Sequence, residues 1–224
     1  MKRRTLDIIF ASGGVLVAAL LVVLGFALST QYAFATDYVK GELGAQKITF
    51  ATADKLTADE TSWKPGSACL VAYAGQQLET GAQAECYAKY YIARHMDAAA
   101  VSAGFPGATY ATLGTTRTEL SAQVAAAKAR NDTAAANDAQ KKLDAATSLR
   151  TTMQTGETLR GLLLTTYGFS VLGDMAGLAA NIIYGLAILM ATLSIAGFIH
   201  AFVTPRDQVA FGSILRPRAA PTSA

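Results

Sequence analysis

The chain has 224 residues, of which 52% are hydrophobic and only 16% charged, with 19 Lys and Arg against 16 Asp and Glu and two cysteines. A soluble domain carries about 25% charged residues, so this composition points to lipid contact. It excludes a disordered chain, a collagen-like fibre and a cysteine-dense secreted scaffold, and leaves room for one compact domain of roughly 100–150 residues plus a few spans.

A short N-terminus, residues 1–5, carries Lys2, Arg3 and Arg4 and leads into an apolar run over 6–28 with Asp7 at its start. Twenty-odd apolar residues at 1.5 Å rise cross a hydrocarbon core of about 30 Å, so this run reads as a transmembrane helix. Ala33-Phe34-Ala35 also fits a signal-peptidase site, but the run is about twice the usual h-region of ~7–15 residues, which favours an uncleaved anchor. Gly14 and Ala18 form a small-xxx-small step, a candidate contact face for a partner helix.

Residues 29–158 form the segment between the spans. Tyr32, Phe34 and Tyr38 follow the first span and Tyr167 and Phe169 precede the second, as in an interfacial aromatic belt. Lys47–Phe50 and Ala68–Tyr73 read as strands from their alternation and side-chain types. Thr80-x-x-Gln83 is a capping box that opens a helix with Ala84, Ala88, Ile92 and Met96 along one face. Phe105-Pro106-Gly107 ends that region in a loop. Thr116-x-x-Glu119 reads as a second capping box before an Ala-rich helical tract reaching Gln154, with Leu120, Val124, Ala127, Leu143 and Ala146 at helical spacing. Asn131-Asp132 interrupts that tract, which predicts a helical hairpin, or alternatively one continuous stalk of about 57 Å.

The stretch 159–175 is apolar but broken by Gly168 and Gly173 and too short to cross by itself, and reads as an interfacial or re-entrant piece leading into the second span. Gly173-x-x-x-Gly177 is another small-residue step. A second span occupies 176–203 without a charged residue, and a tail over 204–224 carries Arg206, Arg216 and Arg218. Residues 30–175 hold 13 Lys and Arg and 14 Asp and Glu, so the cationic excess lies at the two ends. That asymmetry predicts both termini in the cytoplasm of a multi-pass plasma (inner) membrane protein, with the central domain outside. It argues against a nucleic-acid partner, which wants a basic stripe on the folded domain; membrane lipid is the expected contact of the cationic tail.

Cys69 and Cys86 both fall outside under this topology, where a disulfide is the simplest expectation, with free thiols or a metal pair as the alternatives. Closing that loop stabilises by roughly 3 kcal/mol in the chain-entropy model. The catalytic inventory is short. His95 and His200 are the only histidines, and they are assigned to opposite sides of the membrane. No Ser-His-Asp elbow, phosphate-binding loop, dinucleotide fingerprint or CxxC pattern occurs, so no catalytic, cofactor or metal residue is expected. The predicted fold class is a membrane protein with two transmembrane α-helices flanking a mostly α (α+β) extracytoplasmic domain that contains a helical hairpin.

Several segments resemble one family. They are the opening MKRRTLDIIF, Gln46–Phe50 (QKITF), Cys69 with YAGQ after it, GAQAECYA around Cys86, Gly156–Asp174 (GETLRGLLLTTYGFSVLGD) and Ser194–Pro205 (SIAGFIHAFVTP). Together they resemble the actinobacterial prokaryotic respiratory supercomplex association factor family, whose members are often labelled aromatic ring-opening dioxygenase. The resemblance implies a non-enzymatic accessory subunit associated with a complex joining cytochrome bcc to a haem–copper cytochrome oxidase. Its partners would be integral membrane subunits of those respiratory complexes. It brings no ligand motif with it, and the dioxygenase label lacks the residues for an iron site. No small-molecule substrate is expected. The alternative is a membrane-anchored extracytoplasmic sensor or envelope-binding protein.

Overall fold

Long helices dominate the structure, a computed structural model that describes residues 2–205 and 208. In chain order they are α1 (Arg3–Ala45), α2 (Ala58–Ser62), α3 (Cys69–Ala72), α4 (Gly81–Cys86), α5 (Ala93–Ser102), α6 (Tyr110–Ala129) and α7 (Thr133–Val203). A 3₁₀ turn at Ala53–Lys55 and a π-helical stretch at Tyr87–Ile92 complete the set. The chain divides into two compact units at Phe34 and Gly173; one is built from the two ends and the other from Ala35–Leu172. Both α1 and α7 contribute to each. The expected cationic tail, with Arg206, Arg216 and Arg218, lies outside the described residues apart from its first positions.

Both apolar runs lie in helices long and apolar enough to cross a membrane. The expected interfacial stretch 159–175 is not a separate element, because α7 runs through it unbroken. Gly168 lies inside α7, with open space where a Cβ would sit; Gly costs about 1 kcal/mol against Ala in a helix interior, which weakens so long a helix without ending it.

The middle unit is helical. The Thr80 capping box forms as expected, with Gln83 N–H donating to Thr80 Oγ1 at 3.2 Å and Thr80 N–H donating to Gln83 Oε1 at 3.0 Å. From there α4, the π stretch and α5 follow one another and bury Ala84, Ala88, Ile92, Met96 and Ala100, the face expected from the spacing. Around it the core gathers Val39 and Leu43 of α1, Leu113 and Leu120 of α6, and Ala146, Leu149 and Met153 of α7.

The strand expectation is corrected, since the described residues contain no strand. Cys69–Ala72 is a helical turn, set up by Ser67, whose buried hydroxyl accepts from Lys64 N–H at 3.2 Å and donates to the Thr61 carbonyl at 3.1 Å. That local bonding satisfies the backbone before any strand partner is needed. The segment around Lys47–Phe50 makes a single antiparallel bridge, Thr49 to Gln77, flanked by Leu78 N–H to Ile48 O at 2.8 Å and Phe50 N–H to Gln76 O at 2.9 Å. A ribbon this short never extends into a ladder.

The second capping box is also corrected. Helix α6 starts earlier, at a box formed by Thr109 and Thr112, and Thr116 sits inside it, its hydroxyl donating to the Thr112 carbonyl at 3.1 Å. Threonine in the Gln or Glu position supplies the same acceptor. At the other end the chain reverses as a hairpin. Asn131 takes φ 56°, with Asp132 N–H donating to Ala127 O and Asn131 N–H to Lys128 O, both at 3.0 Å. This is a Schellman cap with Asn in the left-handed position, and Asp132 then caps α7 by accepting from Ala135 N–H at 3.0 Å. Across the hairpin, Arg117 Nε donates to Thr147 Oγ1 at 3.0 Å and Arg150 Nε to Tyr110 O at 3.3 Å.

Candidate functional site

Two features stand out, one in each unit. The first is the seam between the spans. In lipid there is no hydrophobic drive between helices, so close backbone approach over small residues supplies the packing. An added Cβ on Gly197 would meet Ala11 Cβ at 3.3 Å, one on Gly14 would meet Ser194 Oγ at 2.2 Å, one on Gly25 the Tyr184 ring at 2.8 Å, and one on Gly177 the Tyr32 ring at 2.9 Å. Each step forward on α1 meets a step back on α7, so the spans are antiparallel and in register. The contact positions on α1 alternate steps of three and four with the buried Ala11, Ala18 and Gly25, the period of a left-handed coil.

Gly14 and Gly177, expected as contact faces for partner helices, therefore lie against the chain's own other span, where there is no room for a side chain. Ala18 and Gly173 are buried, and Gly14 and Gly177 half-buried. Asp7 and His200, 193 residues apart in the chain, meet at this seam. Their Oδ2 and Nδ1 atoms stand 3.1 Å apart across the seam, beside a cavity of about 220 Å³ that Gly14 and Ser194 also line. Arg4 lies over the Phe202 ring at 5.6 Å near the same end. Away from the seam, large apolar side chains point outward on both spans: Leu16, Leu20 and Val23 on α1, and Ile188 and Ile195 on α7.

The second feature is an open groove of about 730 Å³ in the middle unit, between the helix that carries Tyr87–Met96 and the Ser148–Leu159 stretch of α7. One wall is a ring ladder. Tyr87 and Tyr91 stack at 4.6 Å with 27° between planes, and the His95 ring follows at 4.2 Å. Phe50 closes the Tyr87 end edge-to-face at 5.3 Å. Burial pushes the Tyr87 phenol up to about 12, with Tyr91 adding to the effect. His95 Nδ1 lies 2.9 Å from the Tyr91 carbonyl oxygen, and its Nε2 lies 3.8 Å from Glu60 Oε1.

The opposite wall carries Ser148, Thr151, Thr152 and Thr155 at helical spacing. Three of these hydroxyls donate back into α7: Thr151 to Thr147 O at 3.3 Å, Thr152 to Ser148 O at 3.3 Å and Thr155 to Thr151 O at 3.2 Å. Met96 sits on Gly156 at the floor, where an added Cβ would fall 2.3 Å from its Sδ. Residues about 60 apart in the chain make this groove, which is why spacing alone did not show it.

Cys69 and Cys86 are joined in a disulfide with Cα atoms 6.1 Å apart, tying α3 to the end of α4 next to the foot of the ladder. Among the described residues no group of three or more His, Cys, Asp or Glu converges to hold a metal ion. No protein-family model, curated protein or solved structure matches this chain.

Proposed function

We propose that this chain is a non-enzymatic accessory subunit of a respiratory supercomplex, docking on integral subunits of cytochrome bcc and a cytochrome oxidase and bracing the assembly. In this reading both termini lie in the cytoplasm and Ala35–Leu172 lies outside the membrane. The observation that carries it is the economy of the span pair: close approach at Gly14, Gly25, Gly177 and Gly197 joins the two helices, while large apolar side chains such as Leu16, Leu20, Ile188 and Ile195 face outward. A pair built this way offers broad faces to larger membrane subunits as well as to lipid. The resemblance described above names the class of complex. The Cys69–Cys86 bond supports an oxidising compartment for the middle unit, and the cationic ends support a cytoplasmic location for the termini.

The mechanism is entropic. A subunit that contacts two complexes at once makes their second contact intramolecular, so it strengthens the assembly without chemistry of its own. The test is purification of the tagged full chain in a mild detergent, followed by a native gel and mass spectrometry of its bands. Migration with haem-containing subunits is expected. Recovery of the chain alone, at its own mass, under conditions where the bcc–oxidase assembly survives would contradict the proposal.

A further inference from the structure

We infer that His95 and Glu60 form an acid-set latch, which fastens the Thr57–Trp63 strap to α5 and releases it as pH rises through the range in which histidine loses its charge. The strap centres on α2, a helix of 5 residues that buries no side chain, so apolar packing holds it weakly. Leu56, partly buried against the core, pins one side of it. Ser67, whose buried hydroxyl donates to Thr61 O at 3.1 Å, pins the other. Between these two pins, two ionic contacts reach α5: Asp59 with Arg94, and Glu60 with His95. Arginine keeps its charge at any working pH, so only the second contact switches.

The His95 ring is held in the form such a latch needs. Its Nδ1 lies 2.9 Å from the Tyr91 carbonyl oxygen, which only accepts, so the hydrogen of the neutral ring sits on Nδ1. Nε2 is then the atom that gains or loses the proton, and it faces Glu60 Oε1 at 3.8 Å. The carboxylate is aimed in turn: Oε2 accepts from the Thr57 N–H at 2.9 Å and the Thr57 hydroxyl at 3.0 Å, which leaves Oε1 toward the ring. A protonated ring makes an ion pair there. A neutral ring turns a lone pair toward a negative oxygen, and the attraction is gone. Histidine changes charge between pH 5 and 8, while Glu60, held below its ordinary value first by the Thr57 N–H, stays ionised throughout that window. No other charge competes for the ring. Tyr91 stacks on it at 4.2 Å, Arg94 is engaged by Asp59, Asp97 lines a hollow with Trp63 and Arg94, and the α7 wall of the groove carries only uncharged side chains. The latch is therefore firm at the acid end of the window and loose at the basic end. Its setting rests on the reading proposed above, which puts the strap in the medium outside the membrane, where the cytoplasm does not hold the pH.

The test is amide hydrogen exchange of the purified full chain in mild detergent, read by mass spectrometry on the peptide spanning 57–63. It needs neither a membrane nor a partner, so its failure is separate from failure of the docking proposal. Rates are divided by the intrinsic rate at each pH. Corrected exchange of the strap is expected to speed up roughly two- to fivefold between about pH 5.5 and about pH 8, the worth of one half-exposed ion pair. His95→Gln removes the step. Glu60→Gln removes it as well, with the helix cap kept, because Gln also serves at that position of a capping box. Arg94→Gln speeds exchange at both pH values and leaves the step in place. His200→Gln, at the only other histidine, changes nothing. Peptides of the α6–α7 hairpin report in every variant that the unit remains folded. Strap exchange without a step in the unaltered chain would overturn the inference. So would a step that survives both His95→Gln and Glu60→Gln, or one shared equally by the hairpin peptides.

Discussion

Replacing Gly156 with alanine separates helix propensity from packing at one position of α7. An alanine Cβ there would lie 2.3 Å from Met96 Sδ and 2.8 Å from Met96 Cγ, and Met96 is buried. Gly161, five residues on in the same helix, has nothing within 4 Å of an added Cβ. In a helix interior Gly to Ala is worth about 0.8–1.0 kcal/mol, so Gly161→Ala is expected to stabilise by about 1 kcal/mol. At Gly156 the same gain is opposed by overpacking, about 1–3 kcal/mol, with thioether flexibility favouring the lower half. The net expectation is between no change and about 2 kcal/mol of destabilisation, so the two variants differ by about 1–3 kcal/mol. The assay is denaturant unfolding of the detergent-solubilised full chain, followed through Trp63, its one tryptophan and a residue of the same unit. In a Met96→Ala background the clash is gone, and Gly156→Ala recovers its helix gain. If Gly156→Ala stabilises the unaltered chain as much as Gly161→Ala does, the packing of Met96 on Gly156 is wrong.

Further outcomes follow from the same geometry. Cys69→Ala with Cys86→Ala opens a loop with a sequence separation of 17 and is expected to cost about 3 kcal/mol on the chain-entropy account, read by the same unfolding assay; a change below about 1 kcal/mol would refute that account. Ala11→Cys with Gly197→Cys should cross-link within one chain under mild oxidation, while Gly13→Cys with Gly185→Cys, both at open positions, should not. The Glu60 carboxyl is held below its ordinary value of 4.5, first by the Thr57 backbone N–H, which donates to it at 2.9 Å, with the Thr57 hydroxyl, His95 and Arg94 adding and burial opposing. Its contribution is therefore complete above that ordinary value and is lost as pH falls through the lower folded value, so Glu60→Gln should flatten the acid limb of an unfolding curve. The Tyr87 phenol is raised, so its contribution is complete below about 10 and fades as pH rises toward about 12; a phenolate absorbance titration of wild type against Tyr87→Phe reads this directly.

What the residues disclosed in advance is what local physics decides. The spans are legible because twenty apolar residues in a row leave few alternatives, and the Thr80 box because its two bonds lie within four residues. The face Ala84, Ala88, Ile92, Met96 survives even a π-helical stretch, since a π turn shifts the register without moving the apolar stripe off the core. Misreadings arose where a short apolar run is ambiguous. Ala68–Tyr73 has strand-like residues, yet Ser67 and its local bonds close a helical turn first. Gly168 and Gly173 looked like breaks, but glycine only weakens a helix, and the long α7 carries both. The seam was half visible. Gly14 and Gly177 were marked as contact positions, but Gly and Ala are so common in these spans that the antiparallel register, and with it Asp7 beside His200, needed three dimensions. The groove was invisible, because its two walls are joined only by the fold.

The measurement that bears most directly on the account is protease shaving of sealed cells expressing the full chain with one epitope at the Asn131–Asp132 turn and another at the C-terminus. Loss of the turn epitope with retention of the C-terminal one is the predicted result. Retention of the turn epitope with loss of the C-terminal one would reverse the topology and, with it, the setting of the disulfide and the docking faces.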